Sequence, residues 1–150
     1  MKFNENMLLL YAVTDRAWTG RQTLLEQIEE ALKGGVTILQ LREKELDEES
    51  FLEEALKVRS LCRKYNVPLI INDNVEVALR SGADGVHVGI EDAPVAEIRR
   101  RAPEDFIIGA TCKTPGRPGR LKPPAPITWA WERCSHLQQR QVRCELQQSS

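Results

Sequence analysis

No stretch of the 150 residues approaches the roughly 20 consecutive apolar positions that a membrane-spanning helix requires. The opening MKFNENMLLLYAVTD has neither the basic flank nor the small-residue cleavage site of a secretory signal. A cytoplasmic chain is therefore expected. Cys62, Cys112, Cys134 and Cys144 show no CxxC spacing, which argues against both a disulfide framework and a zinc site. Cys134, His136 and Cys144 fit no common zinc pattern and lack a fourth ligand, so free thiols are the expectation. Glycine-rich phosphate loops are missing too. Neither GxGxxG nor GxxxxGKS follows any apolar run, which removes the usual mark of a doubly wound nucleotide-binding fold.

What the chain does have is alternation. LLLYAVTD is too short for a helix and reads as a buried strand. TLLEQIEEALKGG then places Leu24, Leu25, Ile28, Ala31 and Leu32 on one helical face, and Gly34 and Gly35 stop it. The pattern repeats as strand VTILQLRE, helix EESFLEEALKVRSLCRKY, strand VPLIIND, short helix VEVALRSG, strand GVHVG, helix PVAEIRRRA and strand FIIGATC. Apolar strands separated by helices predict a parallel sheet covered by helices. Doubly wound folds and (β/α)8 barrels both have this pattern; without phosphate loops the expectation is α/β, an incomplete (β/α)8 TIM barrel of about five βα units followed by an irregular tail.

Polar residues recur where the strands end: Thr14 and Asp15, Gln40 to Lys44, Asn72 and Asp73, Glu91 and Asp92, and Thr111. In a parallel arrangement these ends share one rim, which is where barrel enzymes keep their chemistry. Asp73 and Asp92 follow consecutive strands and could share a hard cation, for which Mg2+ fits best. Magnesium usually retains water and phosphate oxygens in its shell, so two carboxylates imply a phosphorylated or diphosphate substrate. Arg42 supplies a planar fork and Lys44 a point charge for phosphate oxygens. Gln40 and Asn72 add amides able to read a heterocycle edge. Plainer roles compete with these. Asp73 or Asn74 could cap the following helix. Arg42 and Lys44 could pair with Glu43 or Glu45, and His87 suits a barrel interior better than catalysis.

The segments YAVTDR, GGVTILQLREK, PLIINDNVEVALRSGADGVHVG with the following ED, and IIGATCKT resemble, in order, the motifs of the thiamine phosphate synthase family over residues 8–114. The resemblance implies a (β/α)8 barrel that joins 4-amino-2-methyl-5-hydroxymethylpyrimidine diphosphate to a thiazole phosphate and releases pyrophosphate, with magnesium as cofactor. It implies substrate contacts from Gln40, Leu41, Arg42, Glu43, Lys44, Asn72 and Thr111, with Arg42 and Lys44 as the catalytic pair. Asp73 and Asp92 would be the metal ligands. Thr111 stands where the family often has serine, and Ile90 replaces a common glutamine while leaving Asp92 in register. Small-molecule substrates are the implied partners. Neither nucleic acid nor membrane is expected, and homo-oligomerisation of an intact barrel is left open.

The sequence divides at the last of these motifs. Residues 1–112 hold 14 Lys+Arg against 20 Asp+Glu, and residues 113–150 hold 7 against 2, so the body is acidic and the tail basic. A basic tail suits a nucleic-acid arm, but a mixture of Pro, Gly, Gln and Arg more commonly signals disorder. The family's later strands and phosphate segment, resembling GADYLGVGAVFPTSTK, do not follow Thr114. Trp129 and Trp131 have only the codon TGG, so reading one frame over forces two glycines around a Leu, Val or Met. That shift permits a match to the missing segment. Residues 113–150 are therefore expected to be a frame-shifted tail on a truncated barrel domain of residues 1–112, and sequencing of the coding DNA tests this. Two rivals remain: a thiazole tautomerase-type barrel working without magnesium, and a non-catalytic half-barrel whose tail binds RNA or a partner.

Overall fold

The structure, a computed structural model, describes residues 3–16, 20–89 and 94–111. The tail expected to be frame-shifted, the expected metal ligand Asp92 and all cysteines except Cys62 lie outside the described residues. Strands β1 (Tyr11–Val13), β2 (Ile38–Leu41), β3 (Leu69–Asn72), β4 (Gly85–Gly89) and β5 (Ile107–Thr111) alternate with helices α1 (Leu24–Lys33), α2 (Glu48–Lys64), α3 (Val75–Ser81) and α4 (Val95–Arg101). The strands form one sheet in sequence order, with every neighbouring pair parallel. This is the expected βα repeat, and among the described residues the sheet does not close into a barrel.

Three of the four helices start at a side-chain cap, and α4 starts after Pro94 without one. Thr23 and Glu26 form a reciprocal capping box on α1, Asp47 accepts from the Ser50 amide on α2, and Asn74 accepts from the Val77 amide on α3. Gly82 ends α3 at φ 65°, a left-handed conformation that glycine adopts without steric cost. The guanidinium of Arg59 lies over that bare α carbon, where a Cβ would come within 2.9 Å of it.

The sheet has two packed faces. Leu39, Leu41, Leu69, Ile71, Val86, Val88 and Ile108 point to the helices and join Ile28, Leu32, Phe51, Ala55, Val58, Val77 and Ile98 in the main core. The opposite face gathers Ile38, Ile70 and Ile107 with Met7 from a short 3-10 turn, Glu5–Leu8. Strand alternation sorts the two sets, since successive side chains leave on opposite faces. On the inner face Gly85 leaves room for Ile70 and Ile107, and a Cβ there would run into the backbone carbonyl of Ile107.

One expectation needs correction. LLLYAVTD is not a buried strand throughout, because β1 is confined to Tyr11–Val13 and the 3-10 turn takes Leu8. Leu9 is 76% and Leu10 49% exposed. Thr37 fixes the change of direction: its hydroxyl accepts from the Leu10 amide and donates to the Met7 carbonyl, each at 2.8 Å. Pairing with β2 does not bury the run either, since Tyr11 and Ala12 are half-buried and Val13 is exposed.

Candidate functional site

Parallel pairing brings the carboxyl ends of all five strands to one rim. On β2 the inner-face positions are Ile38 and Gln40, and Arg42 follows in the same alternation just past the strand end. Asn72 pairs with His87 on the next strand, and His87 with Gly109 on the one after. Gln40 lies lower, opposite Ile70, is 6% exposed, and donates from Nε2 to the Tyr11 hydroxyl at 2.8 Å. Its amide is thereby oriented by a neighbouring strand. Burial pushes the Tyr11 hydroxyl up to about 12, partly offset by that hydrogen bond.

Asp73 has the most unusual backbone of the site. Its φ of 62° lies in the left-handed region, which costs a non-glycine residue about 1 kcal/mol or more. The conformation is held by its amide, which donates to the His87 carbonyl at 2.8 Å. It is not a helix cap, because Asn74 performs that task. Among the described residues the Asp73 carboxylate has neither a hydrogen bond nor an ion pair, although its charge acts on His87. Strain of this kind concentrates at functional sites. Beside it lies an open depression of about 450 Å³ whose lining includes Glu43, Phe51, Asn72, Asp73, Asn74 and Arg101.

His87 occupies the inner face as expected of a barrel-interior histidine. Its Nε2 is 2.7 Å from Oγ1 of Thr111, so it orients that hydroxyl on the rim. The ring reaches across β5 only because residue 109 is glycine, where a Cβ would lie 2.6 Å from Nδ1. Burial lowers the His87 pKa below its ordinary value, against the smaller opposing pull of the Asp73 charge.

The QLREK segment does not act as five equivalent contacts. Leu41 is fully buried among the helix-facing residues, leaving only its backbone for the rim. The Glu43 side chain is 1% exposed and bonds Arg16 at 2.5 Å. Arg42 does not pair with Glu43 or Glu45 but approaches Asp15 loosely, at 3.8 Å. Lys44 is exposed and makes no ion pair among the described residues. The Thr14 hydroxyl accepts from the Arg42 amide at 3.0 Å and ties the ends of β1 and β2 together. The role of Arg16 is invisible in sequence, since its two carboxylate partners lie 27 and 38 residues away.

Among the described residues no three His, Cys, Asp or Glu side chains gather to hold a metal. The donor chemistry nevertheless suits a hard cation: Asp73 offers a carboxylate without a partner among the described residues, adjacent to the Asn72 amide and an open depression.

A parallel βα sheet with carboxylate, amide, guanidinium and ammonium groups at its carboxyl-end rim defines an α/β protein of the barrel class. The comparisons make that class specific. The profile of the family described as thiamine monophosphate synthase matches residues 10–120, and the chain belongs to this family. The thiamine-phosphate synthase of Caldanaerobacter subterraneus subsp. tengcongensis is 51% identical over 102 residues, covering 68% of this chain and 48% of that protein. That of Clostridium acetobutylicum is 48% identical over 102 residues, again 68% of this chain and 48% of the relative. A solved structure of thiamine phosphate pyrophosphorylase from Pyrococcus furiosus superposes with a TM-score of 0.65 at 37% identity, covering 73% of this chain and 52% of that one. The chain spans about half the length of the curated relatives it matches.

Proposed function

We propose that this chain carries the pyrimidine-diphosphate half of a thiamine phosphate synthase site, in a cytoplasmic protein. The carrying observation is Asp73: strained at φ 62°, relieved of capping by Asn74, and without a hydrogen-bond or ion-pair partner among the described residues. The matching family and relatives support the reading.

The full reaction would break the carbon–oxygen bond to the diphosphate, which leaves with the bonding electrons, and form a bond from the thiazole nitrogen to the exposed carbon. No protein nucleophile is required. Arg42 would place its fork, and Lys44 its point charge, on the leaving diphosphate. Thr111, oriented by His87 at 2.7 Å, would add a hydroxyl contact. Gln40, whose Nε2 is committed to Tyr11, would present its carbonyl oxygen to the pyrimidine beside Asn72. Asp73, with Asp92, would hold Mg2+, which when bound neutralises charge on the diphosphate oxygens. Positioning and electrostatic stabilisation would supply most of the acceleration.

Calorimetric titration with the pyrimidine diphosphate, with and without Mg2+, tests this assignment. Binding that requires magnesium and disappears in Asp73→Asn is the expected result. Metal-independent binding of the thiazole compound alone would instead favour the tautomerase-type reading.

A further inference from the structure

Arg16 sits just beyond β1 and joins two other elements. Its Nε donates to Oε1 of Glu43 at 2.5 Å, and its Nη2 reaches both oxygens of Glu54 on α2 at 2.6 and 2.7 Å. Glu43 is the buried member, its side chain 1% exposed against 16% for Glu54 and 41% for Arg16. Burial raises the Glu43 pKa, the nearby Glu54 charge adds to the effect, and Arg16 opposes both. Without the guanidinium, two carboxylates would face one another in a poorly hydrated space, an arrangement that drives one of them toward water or protonation.

Leu41, the last residue of β2, is among the helix-facing residues, and Glu43, two residues further on, is held toward α2 through Arg16. Fixing the buried Glu43 side chain restrains the backbone that carries its neighbours Arg42 and Lys44. We propose that Arg16 is a positioning residue: by clamping Glu43 against α2 it holds Arg42 and Lys44 toward the rim in the geometry that receives a diphosphate. Glu43 then serves as the anchor of the segment, not as a substrate contact. This inference rests on the reading of Arg42 and Lys44 as diphosphate contacts.

The test uses the 150-residue chain and four proteins: wild type, Arg16→Ala, Arg16→Lys, and Lys57→Ala as a control that removes a positive charge from the exposed face of α2. Two quantities are measured, Mg2+-dependent inorganic pyrophosphate affinity by calorimetry and amide hydrogen exchange across residues 42–46. Arg16→Ala should bind pyrophosphate about tenfold more weakly and exchange faster across that segment, consistent with loss of a forked charge-assisted contact. Arg16→Lys should fall between, at about threefold, because it keeps the charge and loses the fork. Lys57→Ala should match wild type in both. If Arg16→Ala does not fold, Arg16→Lys decides: affinity and exchange must shift together, and a shift in only one overturns the proposal. Wild-type affinity in a folded Arg16→Ala overturns the positioning role alone. Failure of the wild type itself to bind pyrophosphate overturns the assignment of Arg42 and Lys44, and the inference with it.

Discussion

At Asp73 stability and the proposed chemistry pull in opposite directions. Glycine would adopt φ 62° without the penalty that an aspartate incurs. Asp73→Gly is expected to raise stability by about 1 kcal/mol in urea unfolding while abolishing magnesium-dependent pyrophosphate binding. Asp73→Asn, which tolerates the left-handed region, should leave stability within about 0.5 kcal/mol and lose the same binding. Cys62 yields a prediction of another kind. Burial pushes its thiol from 9.0 up to about 12, with a contribution from the Asp84 charge. A folded-state pKa raised above the unfolded value gives stability that is present below pH 9 and is lost as pH rises toward 12. Cys62→Ala should therefore flatten the alkaline fall, by up to about 1.4 kcal/mol per pH unit, in unfolding curves between pH 9 and 12. Tyr11, whose hydroxyl is displaced in the same direction, contributes to the slope that remains between pH 10 and 12.

Within elements, caps and glycines carry different weights. The α1 capping box satisfies two amides at an exposed helix start, so Thr23→Ala should cost about 1 kcal/mol and leave the rim unchanged. Gly85 stands where β3, β4 and β5 meet, and an added methyl would press on backbone that cannot retreat without parting β4 from β5. Gly85→Ala should cost about 3 kcal/mol, read as a lower urea midpoint. The helices were legible because amphipathic period is local, and the α3 cap was narrowed to Asp73 or Asn74, of which Asn74 takes it. The three-residue extent of β1 was not, because it depends on Thr37, in the loop before β2, holding Leu10 and Met7.

The whole molecule presents an all-parallel sheet whose end strands, β1 and β5, each have a single neighbour among the described residues. Leu9, Leu10 and Val13 are exposed along the β1 side, which favours association with other chains. Concentration-dependent light scattering by the purified chain is the expected observation, and a monodisperse species at all concentrations would count against it. Since the chain spans about half the length of its relatives, coupling of the pyrimidine diphosphate to the thiazole phosphate should be unmeasurable for these 150 residues while pyrophosphate binding persists. Turnover comparable with a full-length relative would refute that division.

The sequence by itself determined the order of strands and helices, the parallel sense of the sheet and the polar identity of the rim, because period, caps and strand-end residues are written in contiguous stretches. Only the tertiary structure decided which of those rim residues are spent on the scaffold. Leu41 and Glu43 belong to the scaffold, Asn74 takes the cap and leaves Asp73 available, and Gly109 lets His87 reach Thr111. Arg16 meets Glu43 and Glu54 across 27 and 38 residues. Such assignments depend on distances between elements, and packing sets those distances.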